Sequence, residues 1–187
     1  SSVFFFFKQK TAYEIGFDWS SDVCSSDLKW NMDENSKFEA DTDSGKLRLL
    51  TENILSRFFQ LQVIRPGGIY GCGRGIDFSL KSGKRIPFSS TPVHRIHVLD
   101  LVRIILNLVE NPDSASCVNA VDHEAKPSWE VAHWLIENRD DLTQEMFPEA
   151  MGVSSSLPGT PQRVISNQRL RKLGITLRYP TFRQGME

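Results

Sequence analysis

Helical and extended patterns alternate along this chain, and that alternation constrains its fold more than any other feature. Residues 43–59 place Leu47, Leu50, Ile54 and Phe58 at steps of three and four, with Lys46, Arg48, Glu52 and Arg57 between them. That spacing predicts an amphipathic helix, with its N-cap among residues 41–44, where short polar side chains accept free backbone N–H groups. Residues 60–65 follow as a short strand, closed by Pro66, Gly67 and Gly68, which neither extend a ladder nor continue a helix. A helix feeding directly into a strand is the unit of an α/β fold.

The pattern continues downstream. Residues 85–88 and 93–98 read as short extended segments. From Leu99 a second amphipathic helix is expected, with Leu99, Val102, Ile105, Leu106 and Val109 apolar, Asp100, Arg103, Asn107 and Glu110 polar, and Pro112 beyond its end. Residues 117–121 read as a buried strand, too short for a helix. Ser128 is placed to cap a third helix over 129–138, with Trp129, Ala132, Leu135 and Ile136 on one side. Residues 139–161, interrupted by Pro148, Pro158 and Pro161, read as an irregular loop. Ser166 then caps a final helix through Leu170 and Leu173, with Gly174 as its terminator.

Composition agrees with a single α/β domain expected to be soluble. The chain has 187 residues, 40% hydrophobic and 24% charged, with a formal net charge of −1. That balance offers no global field for nucleic acid, and no local basic patch supplies one. No apolar run approaches the roughly 20 residues a membrane-spanning helix needs. Cys24, Cys72 and Cys117 lack metal-ligand spacing, so no metal site is expected, and a reducing, cytoplasmic setting is the default reading.

Residues 1–28 stand apart. A run of four phenylalanines precedes Ser/Asp-rich text with no sustained period. The apolar stretch at Val3–Phe7 is too short for a secretory signal, although a short buried strand is physically possible there. The strings KQKTAYEI and DWSSDVCSSDL resemble translated sequencing-adapter text, and residues 1–28 are therefore set aside as a leader foreign to the fold.

The remaining strings VIRPGGIYGCGR, RIHVLDLVRIILNLVE, CVNAVDHE and RVISNQRLRKLGITLRYPTFRQGM resemble, in order, the C-terminal part of extended short-chain dehydrogenase/reductases of the NAD-dependent epimerase/dehydratase type, in particular an atypical branch of them. The resemblance implies a truncated Rossmann-type fold. Residues 29–75 would be the remnant of the Rossmann domain, with helix, strand and substrate loop, and residues 76–187 the substrate-binding part with returning Rossmann elements. The glycine-rich dinucleotide loop would lie upstream. Residues 67–75 (GGIYGCGRG) are not that loop, because their glycines lack the G-x-G-x-x-G spacing and no long helix follows.

The resemblance also implies site residues. The family's Tyr and Lys, which move a proton while nicotinamide exchanges a hydride, align with Ser44 and Arg48. Arg does not titrate near neutrality and Ser is a poor acid, so catalytic residues are unassigned. Pro66, Gly67, Gly68 and Ile69 match the stretch beside nicotinamide. Tyr70 and Arg74 match the border of the substrate pocket, and His94 and Arg95 are expected to face the same cleft. The expected protein is an NAD(P)-binding oxidoreductase or epimerase acting on a small molecule. This chain alone is expected to be inactive and to hold NAD or NADP only weakly. The alternative is a dinucleotide-binding or sensing protein without catalysis.

Overall fold

The computed structural model describes residues 3–7, 30–36, 43–84, 86, 91–143, 145 and 163–186. In chain order its elements are β1 (Val3–Phe7), β2 (Trp30–Met32), α1 (Asp43–Ser56), β3 (Gln60–Pro66), β4 (Gly68–Tyr70), α2 (Ile76–Lys81), β5 (Arg95–His97), α3 (Val98–Glu110), β6 (Cys117–Ala120), α4 (Ser128–Asn138), β7 (Arg163–Ile165), α5 (Gln168–Lys172) and α6 (Phe182–Met186).

All strand pairings between these elements are parallel. β3 lies between β1 and β6, with Val63 opposite Phe6 on one side and Cys117 on the other. β4 pairs with β5, and β2 with β7. Parallel neighbours require long crossovers, and the chain from β3 to β6 supplies one that passes through α3. Val63 and Ile64 are both buried, as expected where both faces of a strand are covered. The buried Gln62 is satisfied at Nε2, which donates to the carbonyls of Pro112 (2.9 Å) and Ala115 (3.3 Å).

Two apolar cores follow from this layout. Ile64, Ile96, Ile104, Leu108 and Val118 pack α3 onto the strands, with Leu170 of α5 and Leu177 beside them. Each such buried aliphatic side chain contributes about 1.5–3 kcal/mol of transfer free energy. The second core joins Tyr70, Leu80, Val131, Leu135, Phe182 and Met186, which ties α2, α4 and α6 around the end of β4.

The helices form where the periodicity places them, but two of them turn a different side inward. On α1 the expected apolar seam of Leu47, Leu50 and Ile54 is exposed, as is Phe58 just beyond the helix. The side toward β3 carries Glu52, which meets Arg65 at 3.4 Å with both side chains largely shielded. An arginine on the strand face selects the carboxylate rather than the leucines.

α3 shows the same reversal. Leu99, Val102, Leu106 and Val109 are exposed, Ile105 is partly buried, and Asp100, Leu101, Ile104 and Leu108 are buried. Apolar residues occupy both sides of this helix, so periodicity alone does not select a face. Asp100 does, because its carboxylate accepts hydrogen bonds from the backbone N–H groups of Arg178 (2.7 Å) and Tyr179 (2.8 Å).

Two caps also differ from expectation. α4 starts at Ser128 with Pro127 at the N-cap, and the Ser128 hydroxyl accepts from Arg95 Nη2 at 3.0 Å instead of capping. Asn167 holds the N-cap position of α5, and its side chain donates to the carbonyls of Val121 (2.9 Å) and Asp122 (3.2 Å). Ser166 still contributes, its Oγ accepting from Gln168 N at 3.2 Å. Gly174 takes φ +73 after α5, the left-handed conformation expected of a terminator.

The extended segment expected over 85–88 falls outside the described residues except for Ile86, as do residues 144 and 146–161 of the expected loop, residues 1–2 and 8–28 of the leader and the side chains of Ser44 and Arg48. Among the described residues no helix is long and apolar enough to cross a membrane.

Candidate functional site

β4 and β5 run side by side, so their carboxyl ends bring Tyr70 and His97 into register. The two rings meet edge to face, with centroids 5.2 Å apart. Beyond Tyr70 the chain reverses in a tight turn, in which Gly71 and Arg74 exchange N–H···O bonds of 2.8 Å each and Gly73 takes φ +71. This places Cys72 and Arg74 on the surface. A cleft of about 170 Å³ opens between this turn, the His97 ring, Asp77, Arg139 and the C-terminal residues Gly185 and Met186. It sits at the carboxyl ends of parallel strands, where open α/β sheets place ligands.

Each wall has a defined cause. His97 is the N-cap of α3, and its Nδ1 accepts from Leu99 N at 3.2 Å. In the neutral ring the proton therefore resides on Nε2, on the side of Gly71, where a Cβ would come within 3.3 Å of that nitrogen. Burial holds the His97 pKa below its ordinary 6.5, although Asp100 pulls the other way. The ring is thus a neutral N–H donor at the cleft near pH 7. Arg139 is fixed by Met186 O (3.0 Å), by Asp141 (2.8 and 2.9 Å) and by Asp77 (3.4 Å). Hydrogen bonds from Arg139 and then Lys81 hold the Asp141 carboxyl well below the usual carboxylate range.

The residues predicted from sequence are brought together only in part. Gly68, Ile69 and Tyr70 form β4 against Arg95, Ile96 and His97. The Tyr70 hydroxyl donates to Thr181 O at 3.3 Å, and burial raises its pKa. His94 is buried behind the ladder, with Nε2 accepting from Ile165 N at 2.8 Å and its carbonyl from Gly68 N at 2.8 Å. Arg95 donates to the carbonyls of Val93 (2.9 Å) and Lys126 (2.7 Å) as well as to Ser128, and burial lowers its pKa to about 10. Arg74 stands apart from these on the exposed turn.

Pro66 ends β3, and Gly67 lies where a Cβ would come 2.6 Å from His94 O. Packing against His94 therefore accounts for glycine at this position. The turns do not fit a dinucleotide pyrophosphate either. The Gly71 and Arg74 N–H groups are closed on each other, and Gly75 leads into a helix of only six residues with the Asp77 carboxylate folded against it. No group of His, Cys, Asp and Glu among the described residues is arranged to hold a metal ion.

Sequence reasoning missed Asp77, Arg139, Gly185 and Met186 as walls of the cleft, and Asp122 behind it. Asp122 is 2% exposed at the end of β6, and its Oδ2 has no hydrogen-bond partner among the described residues. Its signal was a lone acid closing the apolar run of β6.

No protein-family model matches the chain, and no curated protein matches it. Solved structures do. A functionally unknown conserved protein from Silicibacter pomeroyi superposes with TM-score 0.63 at 24% identity, covering 84% of this chain and 59% of that one. MoeE5, in complex with UDP-glucuronic acid and NAD, gives 0.64 at 21% identity, with 86% and 58% covered. UDP-N-acetylglucosamine 4-epimerase from Bacillus cereus gives 0.63 at 18% identity, again with 86% and 58% covered. The chain thus spans a little under three fifths of the length of these three proteins, and over that span it has the parallel, Rossmann-type α/β fold that they share.

Proposed function

We propose that the chain is part of an NAD(P)-binding oxidoreductase or epimerase-like protein that acts on a small molecule, and that it contributes the substrate side of the site. The observation carrying this reading is the cleft at the carboxyl ends of β4 and β5, where His97 presents a neutral N–H donor beside the Tyr70–Arg74 turn. MoeE5, of the same fold, holds a nucleotide sugar together with NAD, which favours a polar, hydroxyl-bearing substrate here. In this reading Tyr70 and Arg74 border the substrate, His94 and Arg95 lie behind Tyr70, and the stretch Pro66 to Ile69 lies on the nicotinamide side. A pyrophosphate cradle would have to come from residues other than the described turns. The chain by itself is then inactive and binds NAD or NADP weakly. Residues 1–28 have no part in this assignment, and the nucleotide sequence across residues 1–35 tests their adapter origin.

Two titrations test the proposal. Isothermal calorimetry with NAD and NADP is expected to show no micromolar site on the 187-residue chain, and finding one overturns that part. Nuclear magnetic resonance titration with UDP-glucuronic acid is expected to shift His97, Gly71 and Cys72. Shifts confined to other regions, or none at millimolar ligand, remove the substrate-side assignment.

A second reading, a dinucleotide-binding protein without catalysis, is favoured by Ser44 and Arg48 standing where the family has Tyr and Lys. Absence of turnover in the intact protein at saturating cofactor, across a sugar-nucleotide panel, would select it.

A further inference from the structure

Asp77 from α2 and Arg139 at the end of α4 are the charged side chains that line the cleft, and they differ in what remains of their bonding capacity. Arg139 Nε and Nη2 donate to the two oxygens of Asp141 at 2.9 and 2.8 Å, and Nη1 donates to Met186 O at 3.0 Å. A guanidinium gripped at two points by one carboxylate has its charge neutralised and its fork occupied. Lys81 is engaged by the same Asp141 and does not line the cleft.

Asp77 is the reverse case. Its one hydrogen bond among the described residues is the long contact of 3.4 Å from Arg139 Nη1 to Oδ2, and its side chain is 27% exposed. Oδ1 lies against Gly75, where a Cβ would come 2.8 Å from it, so glycine at 75 makes room for the carboxylate. The other open polar group is the His97 ring, a neutral donor at Nε2. Gly71, lacking a Cβ that would come 3.3 Å from that nitrogen, leaves it uncovered. The N–H groups of Gly71 and Arg74 are closed on each other and offer the cleft nothing, and the exposed Arg74 and Arg178 lie outside its lining. The cleft therefore presents an N–H donor and a carboxylate acceptor, with its lining cation already neutralised. Hydroxyls on one ring meet both, because each donates and accepts. A carboxylate can accept from His97 but meets Asp77 with like charge. About 170 Å³ is well under the roughly 300–1,000 Å³ of a pocket that encloses a drug-sized ligand, so the fit is to a single ring.

We propose that the cleft selects a neutral, hydroxyl-bearing ring over a ring that carries a carboxylate, and that Asp77 makes this selection. The inference rests on the substrate-side assignment of the cleft and narrows the ligand it takes. Asp77 acts by direct contact with the ligand, its open oxygen accepting from a hydroxyl and repelling an anion at the same position.

Nuclear magnetic resonance titration of the full chain with UDP-glucose and with UDP-glucuronic acid tests this, since the two differ only in a hydroxymethyl against a carboxylate on the ring. Their diphosphates are alike and cancel in the ratio of affinities. Read at the Gly71 and Cys72 amides in low salt, UDP-glucose is expected to bind about tenfold more tightly than UDP-glucuronic acid, which still occupies the cleft at millimolar concentration. Asp77→Asn keeps the shape and an acceptor oxygen, and it is expected to bring the two affinities within about twofold of each other, chiefly by strengthening UDP-glucuronic acid. Equal or tighter binding of UDP-glucuronic acid to the wild-type chain overturns the proposal, as does a preference that survives in Asp77→Asn. Either result leaves the substrate-side assignment standing, because the cleft is still occupied. Absence of cleft shifts with both ligands removes that assignment and this inference with it. Should Asp77→Asn fail to fold, salt decides in the wild-type chain. A preference set by charge shrinks between about 20 and about 500 mM salt as the Debye length falls, and a preference indifferent to salt ends the proposal.

Discussion

The ring of His97 lies on the ring of Tyr179, with centroids 4.0 Å apart and planes inclined by 45°. One turn along α3, Asp100 accepts the backbone N–H groups of Arg178 and Tyr179, so the start of this helix grips the C-terminal segment twice. The segment forms one wall of the cleft, so the grip also positions that wall.

Removing the second grip should be expensive. Asp100→Ala leaves two backbone donors unmet in a site where Asp100 is 1% exposed, and the expected loss is about 2–4 kcal/mol. Asp100→Asn keeps one acceptor oxygen and should lose less. Urea denaturation of both variants measures the difference, and equal losses would show that the one acceptor oxygen kept in Asp100→Asn contributes nothing.

His97 should impose an acid-side pH dependence. Burial depresses its folded pKa below 6.5, and protonation on Nδ1 breaks the bond from Leu99 N. The unfolded chain therefore takes up this proton first. Stability is unaffected by His97 at pH values where both states are neutral, and it declines as pH falls through about 6.5 toward the folded pKa. Asp122 has the opposite sign, since its raised pKa makes stability fall as pH rises from the ordinary carboxyl value of 3.8 toward about 7. The wild-type curve is a sum of the two, so the informative quantity is the difference between wild type and His97→Asn, which keeps a cap acceptor. That difference should shift in favour of the variant below about pH 6.5. A constant difference would exclude His97 as the source.

These two groups illustrate what the sequence can and cannot convey. The helices over 43–59 and from Leu99, the strands around Val63 and Val118, and the turn after β4 are local patterns, and the structure places an element at each. The inward side of α3 was hidden because apolar residues lie on both sides, and the contact that selects it comes from Arg178 and Tyr179, far along the chain. Arg139 reaches Met186 across 47 positions, a relationship no spacing rule encodes. The Tyr70 turn was legible as a motif, but the direction of the hydroxyl, toward Thr181, required the fold.

Glycines around the site should differ in tolerance for distinct reasons. A Cβ at Gly67 would sit 2.6 Å from the His94 carbonyl oxygen, a backbone atom that cannot rotate away, and Gly67→Ala should cost about 1–3 kcal/mol through overpacking. Gly73 has open space around it and φ +71, so Gly73→Ala should cost about 1–2 kcal/mol from backbone strain alone. Gly73→Asn, which tolerates the left-handed region, should recover part of that loss, while Gly67→Asn should not recover any. Thermal unfolding of the four variants separates the two mechanisms. Rescue at Gly67 by asparagine would contradict the packing account.

The exposed apolar seams provide the sharpest test of which helix faces point inward. Leu50 on α1 and Leu106 on α3 are each 54% exposed, and their replacement by Gln should change stability by no more than about 0.5 kcal/mol. Ile104 and Leu108, at 0% and 1% exposure on the opposite side of α3, pack against Ile64 and Val118, and truncating either to Ala should cost about 2–5 kcal/mol. The same Gln substitutions remove apolar surface from two seams that face water, so the double variant should resist self-association at high concentration better than the parent chain. Denaturation curves read the first effect and sedimentation the second. A large loss from Leu106→Gln, with little from Leu108→Ala, would mean that α3 is rotated to bury the side first suggested by its periodicity.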